Sequence, residues 1–485
     1  MPFDTVFRLH RTTRPDKVAI IDGARRIDYA LLDRLIDGAC HVLAARGVKR
    51  DMLVGLGLGD HAEHVIAMIA LARMGAVILP MDCRWAPAEK QRFVDAFAPD
   101  AVLLEQDDTA LPHATWQGLP PGWIMPSETP WIDAAVTDDS PLVLSLSSGT
   151  TGLPKGPRAT HRQFENRFMV YWLNMGLNAQ DIYVSVTPLY FGGGRAFNLA
   201  MLFAGATISV LSPRTKVGEL AAHLAEIGGT AIFLVPTQIR RLLDENPGEC
   251  AFPTLRVLIS SGSALHPEER VAIRRHLTPN LFEFYSSTEG GGVSVLTPAD
   301  CERHPDSVGR PCFRVAVEIV DEAHAPLPPG HIGRLRYRSP ASARGYYRAE
   351  DGDAFRDGWF YPGDLARLDA EGFLYLHGRG KDMIIRGGVN IYPQDIERVL
   401  TEFPGVRDAA VAGAPSREMG EEVAAFIVAE ADVTDEALRA HCRASLAAYK
   451  IPGIIHRVAE LPRNAGGKVL KAQLLTLLTT STPGA

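Results

Sequence analysis

The sequence has little of what marks several common protein classes, beginning with cysteine. It holds only six cysteines in 485 residues, and they lie far apart, with no CxxC pair and no histidine at zinc-ligand spacing. A disulfide framework or a structural zinc site is therefore not expected. The thiols are predicted to be reduced and mostly structural: Cys40, Cys83, Cys250, Cys301, Cys312 and Cys442.

Long runs of one charge sign and long apolar runs are also lacking. The chain has 57 acidic and 50 basic residues, for a net charge of -7, and these are scattered, which argues against nucleic acid as a main partner. The longest apolar stretch, residues 64–81, contains Arg73 and Gly75 and is too interrupted for a membrane span. The N-terminus places Asp4, Arg8 and Arg11 where a secretory signal needs an apolar run. We therefore expect a cytoplasmic protein with no membrane span.

What is present is an alternation of strand and helix patterns. Residues 29–46 have apolar side chains at spacings of three and four, which predicts an amphipathic helix ending at Gly47. Residues 64–74 predict a second helix. Because such helices alternate with short apolar runs, we expect parallel sheets covered by helices. The predicted strands are residues 52–58, 76–79, 101–105, 141–146, 182–187, 207–211, 231–235, 257–260 and 281–284.

The rest of the chain changes in texture. Residues 111–130 are rich in proline and glycine and predict a long surface connection. Beyond about residue 300 the sequence alternates short strands with turn residues, which is typical of a β-rich subdomain. Residues 383–485 mix strands and helices and are numerous enough to form a separate domain.

The strand at residues 141–146 runs into a glycine-rich loop, SSGTTGLPKG. Its glycines let the backbone approach phosphate oxygens, and its hydroxyl groups and Lys155 can bind them. It is not a Walker loop, because Gly156 and Pro157 follow the lysine. The alternative is a solvated turn rich in small polar residues. The candidate phosphate-binding residues are Ser147, Ser148, Gly149, Thr150, Thr151, Gly152 and Lys155.

This loop resembles the phosphate-binding loop of the adenylate-forming superfamily, which includes acyl-CoA synthetases, peptide-synthetase adenylation domains and luciferases. A second motif, YSSTE, is similar to the Tyr-Gly-x-Thr-Glu motif of that family. The resemblance implies that Tyr285 stacks on adenine, that Thr288 contacts phosphate and that Glu289 holds Mg²⁺. Ser286 replaces the usual glycine, which crowds the acyl pocket, and Ser287 completes the nucleotide-binding segment.

Three further segments resemble motifs of the same family. The turn SSGSALHP places Gly262, Ser263 and Ala264 beside the adenine. The segment from Gly358 to Glu397 implies that Asp364 binds the ribose hydroxyls and that Arg379 reaches ribose or phosphate.

In the third segment, LPRNAGGKVLK, Lys468 matches the family's last motif, a catalytic lysine on a mobile loop. Pro362 stands where the family usually has threonine or serine, so that hydroxyl contact is lost.

The resemblance also implies an α/β fold in two parts. Residues 1–380 would form a large N-terminal domain of layered αβ sheets plus a β-rich subdomain. Residues 381–485 would form a small mobile α+β C-terminal domain that turns about a hinge at Asp382. Glycines on both sides of Arg379 permit large backbone changes there.

The implied activity is that of an ATP-dependent carboxylic acid:CoA ligase. The acid first forms an acyl-adenylate and pyrophosphate, and CoA then displaces AMP to give a thioester. ATP, Mg²⁺ and CoA are the expected cofactors, Lys468, Thr288, Glu289 and Lys155 are the expected catalytic residues, and a homodimer is a compatible assembly. Two alternatives stay open: an adenylating enzyme that loads a carrier-protein phosphopantetheine, and a non-catalytic nucleotide-binding homologue.

Family analogy places the acyl pocket near residues 187–205. Tyr190, Phe191 and Phe197 predict apolar walls. Gly192 stands where peptide-synthetase adenylation domains usually carry an aspartate, so an apolar aliphatic or aromatic monocarboxylic acid is the expected substrate. Arg195 is the one charge in the stretch. It is expected at the surface or at a helix start, and the alternative is that it binds the second carboxylate of a diacid.

Overall fold

The structure is a computed structural model that describes most of the chain. The described residues are 5–85, 87–105, 116–133, 135–146, 156–245, 248–263, 265–347, 352–386, 389–391, 393–416, 419–446, 448–464 and 467–480. Among them, no helix combines enough length and apolarity to cross a membrane.

The described chain contains helices and strands in an alternating order. The helices are α1 Thr5–Thr13, α2 Tyr29–Ala45, α3 Ala62–Arg73, α4 Pro87–Phe97, α5 His161–Met175, α6 Gly192–Ala204, α7 Val217–Ile227, α8 Pro236–Asp244, α9 Pro267–His276, α10 Pro393–Thr401, α11 Asp435–Ser445 and α12 Lys471–Thr480. The strands are β1 Val18–Asp22, β2 Arg25–Asp28, β3 Leu53–Gly57, β4 Val77–Pro80, β5 Ala101–Glu105, β6 Trp116–Leu119, β7 Pro141–Leu144, β8 Arg158–Thr160, β9 Ile182–Ser185, β10 Thr207–Val210, β11 Ala231–Leu234, β12 Val257–Ser260, β13 Leu281–Ser287, β14 Gly291–Leu296, β15 Arg310–Pro311, β16 Ala316–Val320, β17 Gly333–Arg338, β18 Phe355–Arg356, β19 Trp359–Phe360, β20 Asp364–Leu368, β21 Leu374–Arg379, β22 Ile384–Arg386, β23 Val389–Ile391, β24 Val406–Ser416, β25 Gly420–Ala429 and β26 Ile454–Arg457.

The largest sheet has the strand order β15-β14-β13-β12-β11-β9-β10-β1-β2. Its central strands pair in parallel, and the strands at its two ends pair antiparallel. Every residue of β11 and β12 is buried, as expected for strands that are covered on both faces. The predicted parallel sheets are therefore present, with antiparallel edges.

The second sheet has the order β6-β5-β3-β4-β7-β8. Helix α3 packs between the two sheets, against β4 of the second sheet and β1 of the first. All its residues except Glu63 are buried. The apolar stretch at residues 64–81 is thus a core helix and strand, in line with the prediction that it is not a membrane span.

One expectation about the second sheet is wrong for four residues, 116–119, whereas residues 120–130 form no helix or strand. Residues 111–130 were expected to form a surface connection, but β6 within that range pairs in parallel with β5 and forms the edge of the sheet. The hydrogen bonds that hold β6 come from a neighbouring strand, so the local proline and glycine content does not reveal it.

The third sheet lies in the predicted β-rich part of the chain. Its order is β18-β19-β17-β20-β21, with β16 also paired to β17. Asp364 and Arg379 are opposite each other in the pairing of β20 with β21. The pairing register of β20 and β21 therefore places two candidate nucleotide-binding residues opposite each other.

The fourth sheet contains only strands from the C-terminal part. Strands β23, β22, β25 and β24 pair in that order, with β26 added to β25, and α10, α11 and α12 pack around it. This part has an apolar core of its own, including Val411, Ala425 and Ile427. It starts just after the 3₁₀ turn Gly380–Asp382.

Strand β13 is longer than predicted. It continues to Ser287, so Tyr285, Ser286 and Ser287 lie in the strand rather than after it. The antiparallel partner β14 provides the pairing, with Tyr285 opposite Ser294 and Ser287 opposite Gly291. The polar residues of the motif carry no strand signal of their own.

A buried ion pair anchors the start of β13. Arg270 Nε donates to Glu283 Oε2 and Nη2 donates to Glu283 Oε1, both at 2.8 Å. Both side chains are 6% exposed. The pair lies two residues before Tyr285 and joins α9 to the strand that carries the YSSTE motif.

We predict that Arg270→Met lowers the free energy of unfolding by about 3–5 kcal/mol, because Glu283 is left buried without its counter-charge. The double variant Arg270→Met/Glu283→Leu should recover most of that loss, since an apolar pair needs no counter-charge. Denaturant unfolding measures both. Arg275→Met, which breaks the exposed pair with Glu249, is the control and should change stability by less than about 1 kcal/mol. Equal destabilisation by the single and double variants would contradict the prediction.

Candidate active site

The two ends of the glycine-rich loop lie side by side. The backbone N of Ser145 donates to the carbonyl of Pro157 at 3.1 Å, and β7 and β8 pair antiparallel with Leu144 opposite Arg158. The backbone N of Tyr347 donates to the carbonyl of Gly156 at 2.8 Å. The predicted phosphate-binding residues themselves, Ser147, Ser148, Gly149, Thr150, Thr151, Gly152 and Lys155, lie outside the described residues.

A cluster around the carboxylate of Asp364 joins the first sheet to the third. The hydroxyl of Tyr285 donates to Asp364 Oδ2 at 2.5 Å. On the other side, Arg379 Nε lies 3.4 Å from Asp364 Oδ1. The structure therefore brings together three residues that the sequence predicted to bind adenine and ribose.

Burial governs the titration of this cluster. It raises the pKa of Asp364 above its usual range, and the charges of Arg379 and Lys468 oppose that shift. Burial and the neighbouring carboxylate raise the pKa of Tyr285 well above its usual value. The phenol consequently stays protonated and acts as a donor, which leaves Asp364 as an acceptor.

The loop that carries Lys468 lies against the same site. A Cβ added to Gly467 would lie 3.2 Å from Thr237 Cγ2 and 3.7 Å from Ser263 Oγ. The backbone N of Lys468 donates to Asn464 Oδ1 at 2.9 Å. Since Ser263 belongs to the predicted adenine turn, the loop of the C-terminal part lies near that turn.

The predicted adenine turn lies next to this loop. Gly262 has φ +103, a conformation that favours glycine. Ser263 Oγ is buried and has no hydrogen-bond partner among the described residues. Ser261 Oγ lies 3.2 Å from Ser286 Oγ, so the serine that replaces the family's glycine faces this turn. Ala264 lies outside the described residues.

Glu289 is held by two residues that sequence reasoning did not identify. Tyr346 donates its hydroxyl to Glu289 Oε1 at 3.1 Å, and Tyr346 also pairs with Pro157 at the exit of the glycine-rich loop. Arg167, from α5, donates Nη2 to the carbonyls of Thr288 and Glu289 at 3.1 and 3.2 Å. No local pattern links these residues, because the contacts arise only where distant parts of the chain meet.

Ser287 has a structural partner. Its Oγ lies 2.5 Å from the hydroxyl of the buried Tyr337, and it accepts from the backbone N of Gly290 at 2.9 Å. A Cβ at Gly290 would lie 2.1 Å from the Tyr337 hydroxyl oxygen, so the turn after Glu289 requires glycine. These contacts fix the position of Thr288 and Glu289 at the end of β13.

The residues of the predicted acyl pocket separate into two groups. Phe197 is buried among aromatic rings, with centroids 4.3 Å from Tyr171, 5.0 Å from Phe233 and 6.2 Å from Phe284. Tyr190 and Phe191 are half-buried at the start of α6, where Phe191 is the N-cap residue.

Of the two positions expected for Arg195, the helix start is confirmed and the surface is wrong. This side chain is 2% exposed. Its location in the first turn of α6, which packs between α5, β9 and β10, buries it. The three preceding glycines suggested an open turn, but Gly194 in fact packs tightly, because an added Cβ would lie 2.2 Å from the carbonyl oxygen of Pro188.

This geometry defines a class of protein. The bond between Tyr285 and Asp364, the position of Glu289 near the exit of the glycine-rich loop and the approach of the Lys468 loop to Ser263 match the arrangement expected of an adenylate-forming enzyme. The chain belongs to the AMP-binding enzyme family: the sequence profile of that family matches residues 7–347, and the profile of its C-terminal domain matches residues 395–468.

Relatives with assigned activities are similar over nearly the whole chain. A 2-succinylbenzoate–CoA ligase of Bacillus mycoides is 30% identical over 471 residues, which cover 96% of each chain. An indoleacetate–CoA ligase of Aromatoleum aromaticum is 30% identical over 499 residues, covering 98% of this chain and 97% of the relative.

Solved structures of the family superpose closely. ATP-bound MatB from Rhodopseudomonas palustris has a TM-score of 0.90 at 27% identity, covering 98% of this chain and 99% of its own. The o-succinylbenzoate CoA synthetase MenE of Bacillus subtilis, in complex with its acyl-adenylate intermediate, has a TM-score of 0.88 at 26% identity, covering 97% of each chain. The predicted family, fold class and enzyme class of acyl-CoA ligase are confirmed. The roles of individual site residues stay predictions.

We predict that Tyr285→Phe raises the KM for ATP about tenfold, because a hydrogen bond to a charged group contributes about 1.5–3 kcal/mol and its loss frees Asp364 to turn away from the ribose. Steady-state kinetics with ATP as the varied substrate measures this. The control is Tyr375→Phe, which removes a tyrosine–carboxylate bond to Asp369 elsewhere in the third sheet and should leave the KM unchanged. An unaltered KM in Tyr285→Phe would show that the hydroxyl does not orient Asp364.

Proposed function

We propose that the protein activates a carboxylic acid with ATP and transfers the acyl group to CoA. The observation that carries this proposal is the close approach of Gly467, next to Lys468, to Thr237 and to Ser263 of the predicted adenine turn. A lysine that the C-terminal part brings to a nucleotide site can offset the repulsion between the carboxylate of the acid and the triphosphate of ATP. The naming of relatives as CoA ligases supports CoA as the acceptor rather than a carrier protein.

The residues around Asp364 fit an adenosine group. A carboxylate accepts two hydroxyl donors at once, so Asp364 suits a ribose diol, and the ring of Tyr285 suits a base. Ser263 Oγ is a buried polar atom with no partner among the described residues, which fits a hydrogen bond to the nucleotide. These features support ATP as the first substrate.

Glu289 fits a magnesium ion bound together with phosphates. Proteins hold Mg²⁺ through one or two carboxylates plus phosphate oxygens, and the described residues contain no cluster of three or more metal-binding side chains. Tyr346 and Arg167 hold Glu289 in place next to the exit of the glycine-rich loop. The ion supplies positive charge to the triphosphate when bound.

The first half-reaction joins two anions. A carboxylate oxygen of the acid attacks the α-phosphorus, the bond to the leaving pyrophosphate breaks, and Lys155 and Lys468 offset the negative charge. In the second half-reaction the CoA thiolate attacks the acyl carbon, and AMP leaves with the electron pair of the broken bond. No nucleophile from the protein is needed in either step.

The two steps place different demands on the C-terminal part. We propose that it turns about Asp382 after adenylation, so that residues 386–390 replace Lys468 at the site. Asp382 ends the 3₁₀ turn Gly380–Asp382, and Gly378 just before it has φ +96. The charge of Asp382 raises the pKa of Asp364, which supports a pivot near the proposed nucleotide site.

The acyl group is proposed to lie between α6 and the end of β13. The aromatic rings around Phe197 support an apolar aliphatic or aromatic acid. The relatives' named substrates both carry aromatic rings, and they differ in charge: indoleacetate has one carboxylate and 2-succinylbenzoate has two. These two relatives therefore do not determine how many carboxylates the substrate of this chain carries.

We predict that Lys468→Ala lowers the rate of acid-dependent pyrophosphate release at least about a hundredfold, since the charge that offsets the attacking carboxylate is removed. Thioester formation from a supplied acyl-adenylate should persist, because Lys468 leaves the site before that step. Separate assays of the two half-reactions measure this, with Lys49→Ala, an exposed lysine in the turn after α2, as the control. An equal loss in both half-reactions would contradict the two-step use of the C-terminal part.

A second prediction concerns the pivot. Asp382→Pro should slow thioester formation more than adenylation, because proline fixes φ at about -65° and restricts the turn. Asp382→Ala removes the carboxylate but keeps φ free, so it should slow thioester formation less. Single-turnover kinetics of each step provides the comparison, and equal slowing of both steps by the proline variant would remove Asp382 as the pivot.

A further inference from the structure

Arg195 is a buried cation that has no carboxylate partner among the described residues. Its side chain is 2% exposed, Nη1 donates to the carbonyl of Tyr190 at 2.9 Å, and Nη2 donates to Ser145 Oγ at 3.1 Å. Nε is buried with no partner among the described residues. Both of its hydrogen-bond acceptors are neutral.

Nothing described around Arg195 neutralises its charge. No acidic side chain of the described residues lies within ion-pair distance of it. The nearest groups that act on it are the cation Arg167 and the phenol of Tyr171. Burial, reinforced by Arg167, lowers the pKa of Arg195 to about 9, so the charged form is held at a cost.

Two other buried arginines of this fold have carboxylate partners, whereas Arg167 donates to backbone carbonyls. Arg73 is 1% exposed and pairs with Asp33 and Asp37 at 2.6 and 2.7 Å, and Arg270 pairs with Glu283. A buried charge is normally paired, because an isolated one loses its hydration without compensation. Among the described residues, Arg195 therefore has no anion of the kind that pairs with Arg73 and Arg270.

The position of Arg195 indicates where the anion comes from. Ser145 is the second-last described residue before the glycine-rich loop, and Tyr190 precedes α6, the helix proposed to line the acyl group. The guanidinium thus lies where the proposed phosphate and acyl sites adjoin.

We propose that Arg195 binds a second carboxylate of the substrate, so that the protein activates a dicarboxylic acid. This inference rests on the proposed function and specifies its substrate class. A planar guanidinium can bind a carboxylate through two parallel hydrogen bonds, and the neutral contacts to Ser145 and Tyr190 hold it ready for that geometry. The aromatic rings around Phe197 then enclose the apolar part of the acid.

The test compares matched acids that differ only in the second carboxylate. Suitable pairs are succinate with butanoate, adipate with hexanoate, and 2-succinylbenzoate with 4-oxo-4-phenylbutanoate. Acid-dependent pyrophosphate release gives kcat/KM for each. The full-length wild type is expected to prefer the diacid of at least one pair by about tenfold or more, in keeping with a charge-assisted bond.

The Arg195→Gln variant is expected to lower the ratio of kcat/KM for that diacid to kcat/KM for its monoacid by about 10- to 100-fold. Arg195→Lys keeps the charge and should recover part of the ratio, and it serves if the glutamine variant does not fold. Arg162→Gln, which alters an exposed arginine of α5 paired with Asp139, is the control and should leave the ratio unchanged.

Three results would overturn the inference and leave the proposed function standing. The first is that the wild type releases pyrophosphate with monoacids but prefers no diacid. The second is that Arg195→Gln leaves the ratio of kcat/KM for the diacid to kcat/KM for the monoacid unchanged. The third is that the main defect of Arg195→Gln is a larger dissociation constant for ATP, measured without acid. The last would assign the anion to the triphosphate. Absence of pyrophosphate release with every acid would overturn the proposed function and the inference together.

Discussion

The carboxylate of Asp364 is the constraint on which the arrangement of the site depends. A buried anion needs donors and counter-charges, and each comes from a different part of the fold. Tyr285 donates from the first sheet, Arg379 lies opposite on the neighbouring strand of the third sheet, and Lys468 acts from the C-terminal part. The groups that act on this one carboxylate therefore come from the first sheet, the third sheet and the C-terminal part.

The predicted phosphate side of the site is likewise held by residues from distant parts of the chain. Glu289 is positioned by Tyr346, which also pairs with the exit of the glycine-rich loop, and by Arg167, which binds two backbone carbonyls at the end of β13. Strand β13 thus carries Tyr285, which is predicted to stack on adenine, and leads to Glu289, which is predicted to hold Mg²⁺, two residues beyond its end. The buried pair of Arg270 and Glu283 holds β13 in place, so the same interaction stabilises the core and positions the YSSTE motif.

Much of this could be predicted from the sequence, for physical reasons. Short apolar runs such as β12 specify buried strands, and the periodicity of α2 specifies its buried face, because both signals are local. Asp364, Arg379 and Lys468 were identified by resemblance to family motifs, and the structure brings them together. Strand β6 and the extension of β13 were missed, since their pairing partners, rather than their own residues, stabilise them.

The environment of Arg195 could not be predicted either. Burial of a charged residue depends on how α6 packs against distant elements, and three glycines before it suggested exposure. Tyr346 and Arg167 were invisible for the same reason, because each meets Glu289 only in the folded chain. Family motifs therefore identified the residues that are predicted to touch nucleotide, whereas tertiary packing determines the residues that hold them and the burial of Arg195.

The central claim is that the chain forms an acyl-adenylate before any thiol takes part. Exchange of labelled pyrophosphate into ATP, measured with acid present and CoA absent, tests it most directly, because exchange requires a reversible first half-reaction. The account predicts label in ATP only when a carboxylic acid is added. Exchange that needs CoA, or no exchange with a broad panel of mono- and dicarboxylic acids, would contradict it.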